Sequence, residues 1–359
     1  MIILGPSETY MLLRRTGKLP KQMPAAKRQQ IITANVLIPM PRHILNQKSI
    51  LSIPPSIDDA TAGDLAILGI MHPNSSKLSQ TSLTAVVNTR ELRRNSKKYS
   101  SMLVAKDLPQ KSILQFTENV YALCPALCLI LLARLRTICD EELVFAASEL
   151  CSRYTYGFDN QLIECIPLTN LQHIEHYLRE ISSLNAHAPI GVRRLQTILS
   201  HVQSGARSPF EIANGILMSW PVHGGGVGVP SFELNKCVEL TVEEQKELDK
   251  SFLEVDFAWP DNNVILEYNG GVHNFQRDPD SARINVLRDK GNTVEILSKQ
   301  IMKNPDSYLK FMRRLEGPLG FRIAEDANSQ NRQRELLRRV IGIAEHRGGL
   351  GQLQSKVVY

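Results

Sequence analysis

The usual marks of secretion, membrane insertion and zinc binding are missing from this chain of 359 residues. Its cysteines, Cys124, Cys128, Cys139, Cys151, Cys165 and Cys237, include no CxxC pair. No Cys/His set has zinc-finger spacing, which argues against both a disulfide scaffold and a structural zinc. The thiols are therefore expected to be reduced, mostly as small buried hydrophobes. The start, MIILGPSETY, lacks a basic n-region and a cleavage pattern, so a cytoplasmic location is expected. The longest apolar run, Ala122 to Ala133, carries Pro125 and is too short for a bilayer. It reads as a buried helix, and no membrane association is expected. There is also no GK[ST] phosphate loop and no internal repeat.

What is present is a mildly basic composition. Lys and Arg number 42 against 36 Asp and Glu, a net charge of +6. The excess is uneven. Residues 1–50 hold Arg14, Arg15, Lys18, Lys21, Lys27, Arg28, Arg42 and Lys48 against the single acid Glu8. Arg90, Arg93, Arg94, Lys97 and Lys98 form a second cluster, and Arg193 and Arg194 a third group. Phosphate-backbone contact with DNA is one reading; a solvated face is the other. A chain this long is expected to hold two domains.

The organisation expected along the chain is a mixed α/β N-terminal domain over 1–169 and a helical connector over 170–205. A third region covers 206–316, and a basic, partly helical tail covers 317–359. In the first region Asn35–Met40, Leu83–Val87 and Ser101–Val104 are β-like. Pro125 and Asp140 are placed to open helices. Ser208-Pro209-Phe210-Glu211 combines an N-cap serine, a proline at the first helical position and a glutamate at capping-box spacing. The glycine-rich loop after it, Pro221 to Gly228, reads as flexible linkage rather than a phosphate cradle.

The chemistry concentrates in two short β-rich runs, SFLEVDF at 251–257 and NVILEYN at 263–269. Trp259-Pro260-Asp261-Asn262 supplies turn chemistry between them. A hairpin centred between Asp261 and Asn262 sets Trp259 opposite Val264 and Asp256 opposite Glu267. Glu254, Asp256, Glu267 and Asn269 then share one face, with Leu253, Val255, Phe257, Val264, Leu266 and Tyr268 on the other. Opposed carboxylates destabilise a hairpin. A divalent cation such as Mg²⁺ offsets that repulsion, because it prefers one or two carboxylates plus water and phosphate oxygens. The alternative is an acidic edge whose charges never meet. Beyond this, a helix is expected from about Asp280 to Gly291, a strand at Thr293–Leu297 and a helix at Asp306–Leu315.

These residues resemble a known group. D-F-A-W-P at 256–260, L-E-Y-N-G-G-V-H at 266–273 and D-S-A-R-I-N-V-L-R-D-K-G at 280–291 are similar to bacterial endonuclease-like proteins related to very-short-patch repair endonucleases. Those proteins belong to the PD-(D/E)xK superfamily. The resemblance spans roughly Ser208 to Leu315. It implies a restriction-endonuclease-like fold and Mg²⁺-dependent cleavage of DNA. Asp256 and Glu267, with Glu211 as a third ligand, would hold the metal; His273 would move a proton. Arg283 would contact phosphate or anchor Asp280. For Glu211, His273 and Arg283 the plainer roles are helix capping, turn closure and ion pairing. One position departs from the pattern: Asn269 stands where these relatives carry Asp and standard superfamily members carry Lys. The alternative function is therefore a catalytically degenerate nuclease fold that binds DNA or regulates. The N-terminal layout, with its basic start and Tyr121-Ala122-Leu123-Cys124-Pro125 leading into a helix, resembles regulator-like proteins of abortive-infection toxin–antitoxin systems. A DNA-binding or protein-partner role is what that implies.

Overall fold

Capping side chains and prolines set many of the helix starts. In the computed structural model, residues 2–16, 38–39, 83–87, 90, 93, 99–104, 107–115, 120–156, 162–270 and 277–346 are described. They are mixed helix and sheet, in agreement with an α/β class. They divide into an N-terminal unit ending at Val202 and a C-terminal unit, Gln203–Glu345.

The N-terminal unit opens with β1 (Ile2–Ile3) and α1 (Pro6–Thr16), followed by β2 (Ile38–Pro39), β3 (Leu83–Val87), β4 (Tyr99–Leu103), β5 (Ile113–Gln115) and β6 (Val120–Leu123). Four of these strands form a sheet in the order β1-β6-β5-β2, and β3 pairs with β4 in parallel. Pro125 and Asp140 open α2 (Pro125–Ala133) and α3 (Asp140–Leu150), at the positions expected. The long apolar run is thus split between a strand and a helix, and every residue of α2 after Pro125 is buried. A small hairpin, β7 (Tyr154–Tyr156) with β8 (Leu162–Glu164), precedes α4 (Leu171–Ser183) and α5 (Val192–Ile198).

The expected 170–205 connector is instead part of this core. Ile174, Tyr177, Leu178, Ile181, Val192, Leu195 and Ile198 are all buried. Gly191 adopts φ +100 beside the Ile130 carbonyl, where a Cβ would come within 2.2 Å of the oxygen. The helix is pressed onto α2 too tightly to serve as a spacer.

The C-terminal unit starts with α6 (Pro209–Ser219), then β9 (Glu233–Glu239), α7 (Val242–Leu248), β10 (Phe252–Trp259) and β11 (Val264–Asn269). α8 (Arg277–Asp289), β12 (Thr293–Ser298), α9 (Lys299–Lys303), α10 (Pro305–Arg313), α11 (Glu316–Leu319) and α12 (Ala327–His346) complete it. Its sheet runs β12-β11-β10-β9. β10 is antiparallel to both neighbours, whereas β12 joins β11 in parallel. A parallel neighbour needs a crossover, and α8 provides it.

The β10–β11 register is the one expected: Trp259 pairs with Val264, Ala258 with Ile265 and Phe257 with Leu266. The turn occupies Pro260–Asn262, closed by Asn263 at φ +52 donating its N–H to the Pro260 carbonyl. The expected faces need correction. Leu253 and Val255 share a core with Ala258, Ile265, Val294 and the α8 residues Val286 and Leu287. Phe257 and Trp259 pack instead against Phe232. Strict alternation therefore breaks at Asp256. That residue is missing from both ladders, and Asn235, its counterpart on β9, is left-handed at φ +51. The β9 pairs on either side of the gap keep one register, so no residue is inserted and local twist absorbs the switch.

Two further expectations change. The described part of the 317–359 segment is not a mere tail, since Leu336, Leu337, Val340, Ile341 and Ala344 of α12 are buried. Nor is the glycine loop after α6 a flexible linker. A Cβ on Gly225, at φ +99, would sit 2.5 Å from the Arg332 carbonyl oxygen of α12. One on Gly226 would lie 1.7 Å from that of Trp220. The glycines are there because backbone meets backbone.

Candidate functional site

α6 and the β10–β11 hairpin bring the acidic residues together. Ser208 caps α6, accepting from the Glu211 N–H at 3.2 Å and donating to Glu211 Oε1 at 2.9 Å. Glu211 Oε2 accepts from the Arg207 N–H at 2.9 Å and from Asn235 Nδ2 at 3.0 Å. Both oxygens of Glu211 are thus held by the cap and by Asn235. Asp256 uses Oδ2 to accept the Tyr268 N–H at 2.6 Å, so its side chain replaces a rung of the missing ladder. Arg283 on α8 donates from Nη2 to Glu267 Oε1 at 2.7 Å and to the Glu254 carbonyl at 2.6 Å. Glu254 Oε2 in turn pairs with Arg207.

Four carboxylates (Glu211, Glu254, Asp256, Glu267) thus meet two guanidinium groups. Electrostatics registers the imbalance. Burial, then the charge of Asp256, pushes Glu211 up to about 7. The same two causes push Glu267 up to about 8, against the pull of Arg283. Asp256 is also raised, again by burial, although the Tyr268 N–H and both arginines oppose it. Desolvated, mutually repelling acids cost stability, and such clusters are candidates for function.

Asp256 Oδ1 lies outside the hydrogen bonds just described, whereas the Glu267 carboxylate also draws on the Asp256 backbone N–H; carboxylates are the ligand type that a hard cation completed by water and phosphate takes. Glu211 contributes a cap and a charge rather than an open oxygen. Among the described residues, no group of three or more His, Cys, Asp or Glu is arranged to hold a metal ion. Of the three expected ligands, Asp256 and Glu267 are the two whose carboxylates could hold a cation.

Other expected residues are dispersed. His273, Arg94, Lys97 and Lys98 lie outside the described residues, as does the side chain of Asp280. Asn269 is half-buried and pairs with Ser298 on β12. Arg90, Arg93 and Arg193 are exposed. Arg194 serves the fold, since its guanidinium holds Asp140 and the carbonyls of Ala133, Leu135 and Ile138. With those bonds made it closes the α2–α3 corner. Arg14, from the basic start, is buried with Glu149 at 2.8 Å. Trp259 is a packing residue, with Nε1 donating to the Pro230 carbonyl at 3.0 Å.

Sequence reasoning placed Glu254 on the acidic face without giving it a role, and left out Arg207. Glu254 was legible as the residue two before Asp256 on the strand. Arg207 carried only its place just before the capping serine. Among the described residues no helix is long and apolar enough to cross a membrane. Compared with models of known families, with curated proteins and with solved structures, the chain matches none.

Proposed function

We propose that the chain is a Mg²⁺-dependent DNA endonuclease whose C-terminal unit has a restriction-endonuclease-like fold. One observation carries the reading. Asp256 and Glu267 are half-buried, repel each other and stand on adjacent strands where the β10–β11 ladder ends. A bound cation would offset the repulsion that the Tyr268 N–H and Arg283 only partly relieve. The element order supports it as well: after α6, a strand and a short helix lead into the antiparallel β10–β11 hairpin, a crossover helix and a parallel strand. A bound Mg²⁺ would neutralise charge on the scissile phosphate and lower the pKa of a water. Asp256 and Glu267 would hold it, Arg283 would keep Glu267 oriented, and His273 would carry the proton. The test is nicking or cleavage of plasmid and linear duplex by purified protein with Mg²⁺, with EDTA as control. Asp256→Asn and Glu267→Gln should each lower the rate by at least roughly a hundredfold, as loss of a metal ligand does. No cleavage by folded wild-type protein under any divalent cation sinks the reading.

A second reading, a catalytically degenerate DNA-binding or regulatory protein, is favoured by Asn269 and by Arg283 engaging Glu267. It predicts salt-dependent DNA binding unchanged by EDTA or by Asp256→Asn, with no cleavage.

A further inference from the structure

Resting on the nuclease reading, we propose that Lys299 contacts a backbone phosphate of the DNA beside the Asp256–Glu267 pair, and that Phe210 and Tyr268 position it there. β11 and β12 run in parallel, and their last pair is Asn269 with Ser298. Lys299 is the next residue, at the carboxyl ends of two parallel strands, where open α/β sheets bind ligands. The preceding pairs, Glu267 with Ile296 and Tyr268 with Leu297, put this end of the sheet level with the acidic site. Register puts Asp256 at the same level on β10.

The side chain is held without being neutralised. Its Nζ lies 5.2 Å from the centroid of the Phe210 ring. Phe210 is stacked on Tyr268 at 5.5 Å and 14°. Tyr268 in turn donates its backbone N–H to Asp256. One chain of contacts thus links the ammonium to the acidic pair. Two neighbouring cations are already spent, Lys303 on Glu345 and Arg314 on Glu295. Lys299 has no carboxylate partner among the described residues. It is half-buried, so a phosphate can reach it. A cation resting on an aromatic face loses little rotamer freedom when an anion arrives. In a site with surplus carboxylates, it also gives the polyanion a positive landing point.

The experiment measures binding of the full chain to a fluorescent duplex in EDTA across a salt series, and cleavage with Mg²⁺. Lys299→Ala should weaken binding several-fold at low salt and lower the slope of log K against log salt by about one, as loss of one phosphate contact does. Lys299→Arg should keep the slope. Phe210→Leu should weaken binding but leave the slope unchanged, the mark of a positioning role. Lys310→Ala, on the exposed face of α10, is the control. If wild type binds and cleaves while Lys299→Ala matches it in affinity and slope, the proposal for Lys299 is overturned and the nuclease reading stands. A slope that drops in Lys299→Ala, in a wild type that cleaves nothing, supports Lys299 and overturns the nuclease reading. A wild type that binds no DNA at low salt overturns both.

Discussion

Stripping water from a carboxyl makes its ionisation costly, and Glu211 and Glu267 carry that cost through neutral pH. In the folded chain they titrate near 7 and 8, above the ordinary 4.5. The folded state therefore binds their protons more tightly than the unfolded state does. The resulting stability is fully present below the ordinary value and is lost as pH rises through 7 and 8. We expect the thermal midpoint of the C-terminal unit to fall between about pH 5 and about pH 8, opposite to acid denaturation. Scanning calorimetry checks this, and Glu267→Gln should flatten the profile. Asp256→Asn keeps an acceptor for the Tyr268 N–H but removes the charge that raises both neighbours. It should stabilise the unit by on the order of 1 kcal/mol near pH 8 while abolishing cleavage. A variant that is both inactive and less stable than wild type contradicts this account.

At the scale of elements, corners are held by single residues. Arg194→Ala removes four hydrogen bonds from the α2–α3 corner and leaves buried carbonyls unpaired. Urea unfolding of the N-terminal unit should show a loss of roughly 2–4 kcal/mol. Gly226→Ala drives a Cβ into the Trp220 carbonyl and should cost more than an ordinary loop substitution. The hairpin register and several helix starts were legible because turn and capping chemistry are local: Pro260-Asp261-Asn262 sets one, and Ser208, Pro125 and Asp140 mark the others. The change of face at Asp256 was not legible. It depends on Asn235, which is distant in sequence and left-handed in conformation. The glycine loop misled for the same reason, because its partner is the backbone of α12 more than a hundred residues later. Of the site, the opposed acids could be read from the hairpin register and Arg283 as the ion-pair partner of a strand carboxylate, but Arg207 could not.

For the C-terminal unit as a whole, α12 is an integral part. Burial of Leu336, Leu337, Val340 and Ile341 represents roughly 6–12 kcal/mol of apolar transfer, comparable to the whole stability of a domain. A chain stopped after Ile323 should therefore lack the folded C-terminal unit. Limited proteolysis and amide exchange should find β9–β12 unprotected in it. Protection equal to that of the intact chain would show that α12 is dispensable.

The rung that Asp256 supplies to Tyr268 also bears on how such a sequence drifts. One carboxylate spans the two strands with Oδ2, and in the proposed function would offer chemistry with Oδ1. Selection for the fold alone would keep a short acceptor at 256 after any catalytic use had ended. Asparagine is the substitution that such a lineage tolerates, because it preserves the rung and discards the charge. An aspartate at 256 therefore has a structural reason to persist beside any chemical one.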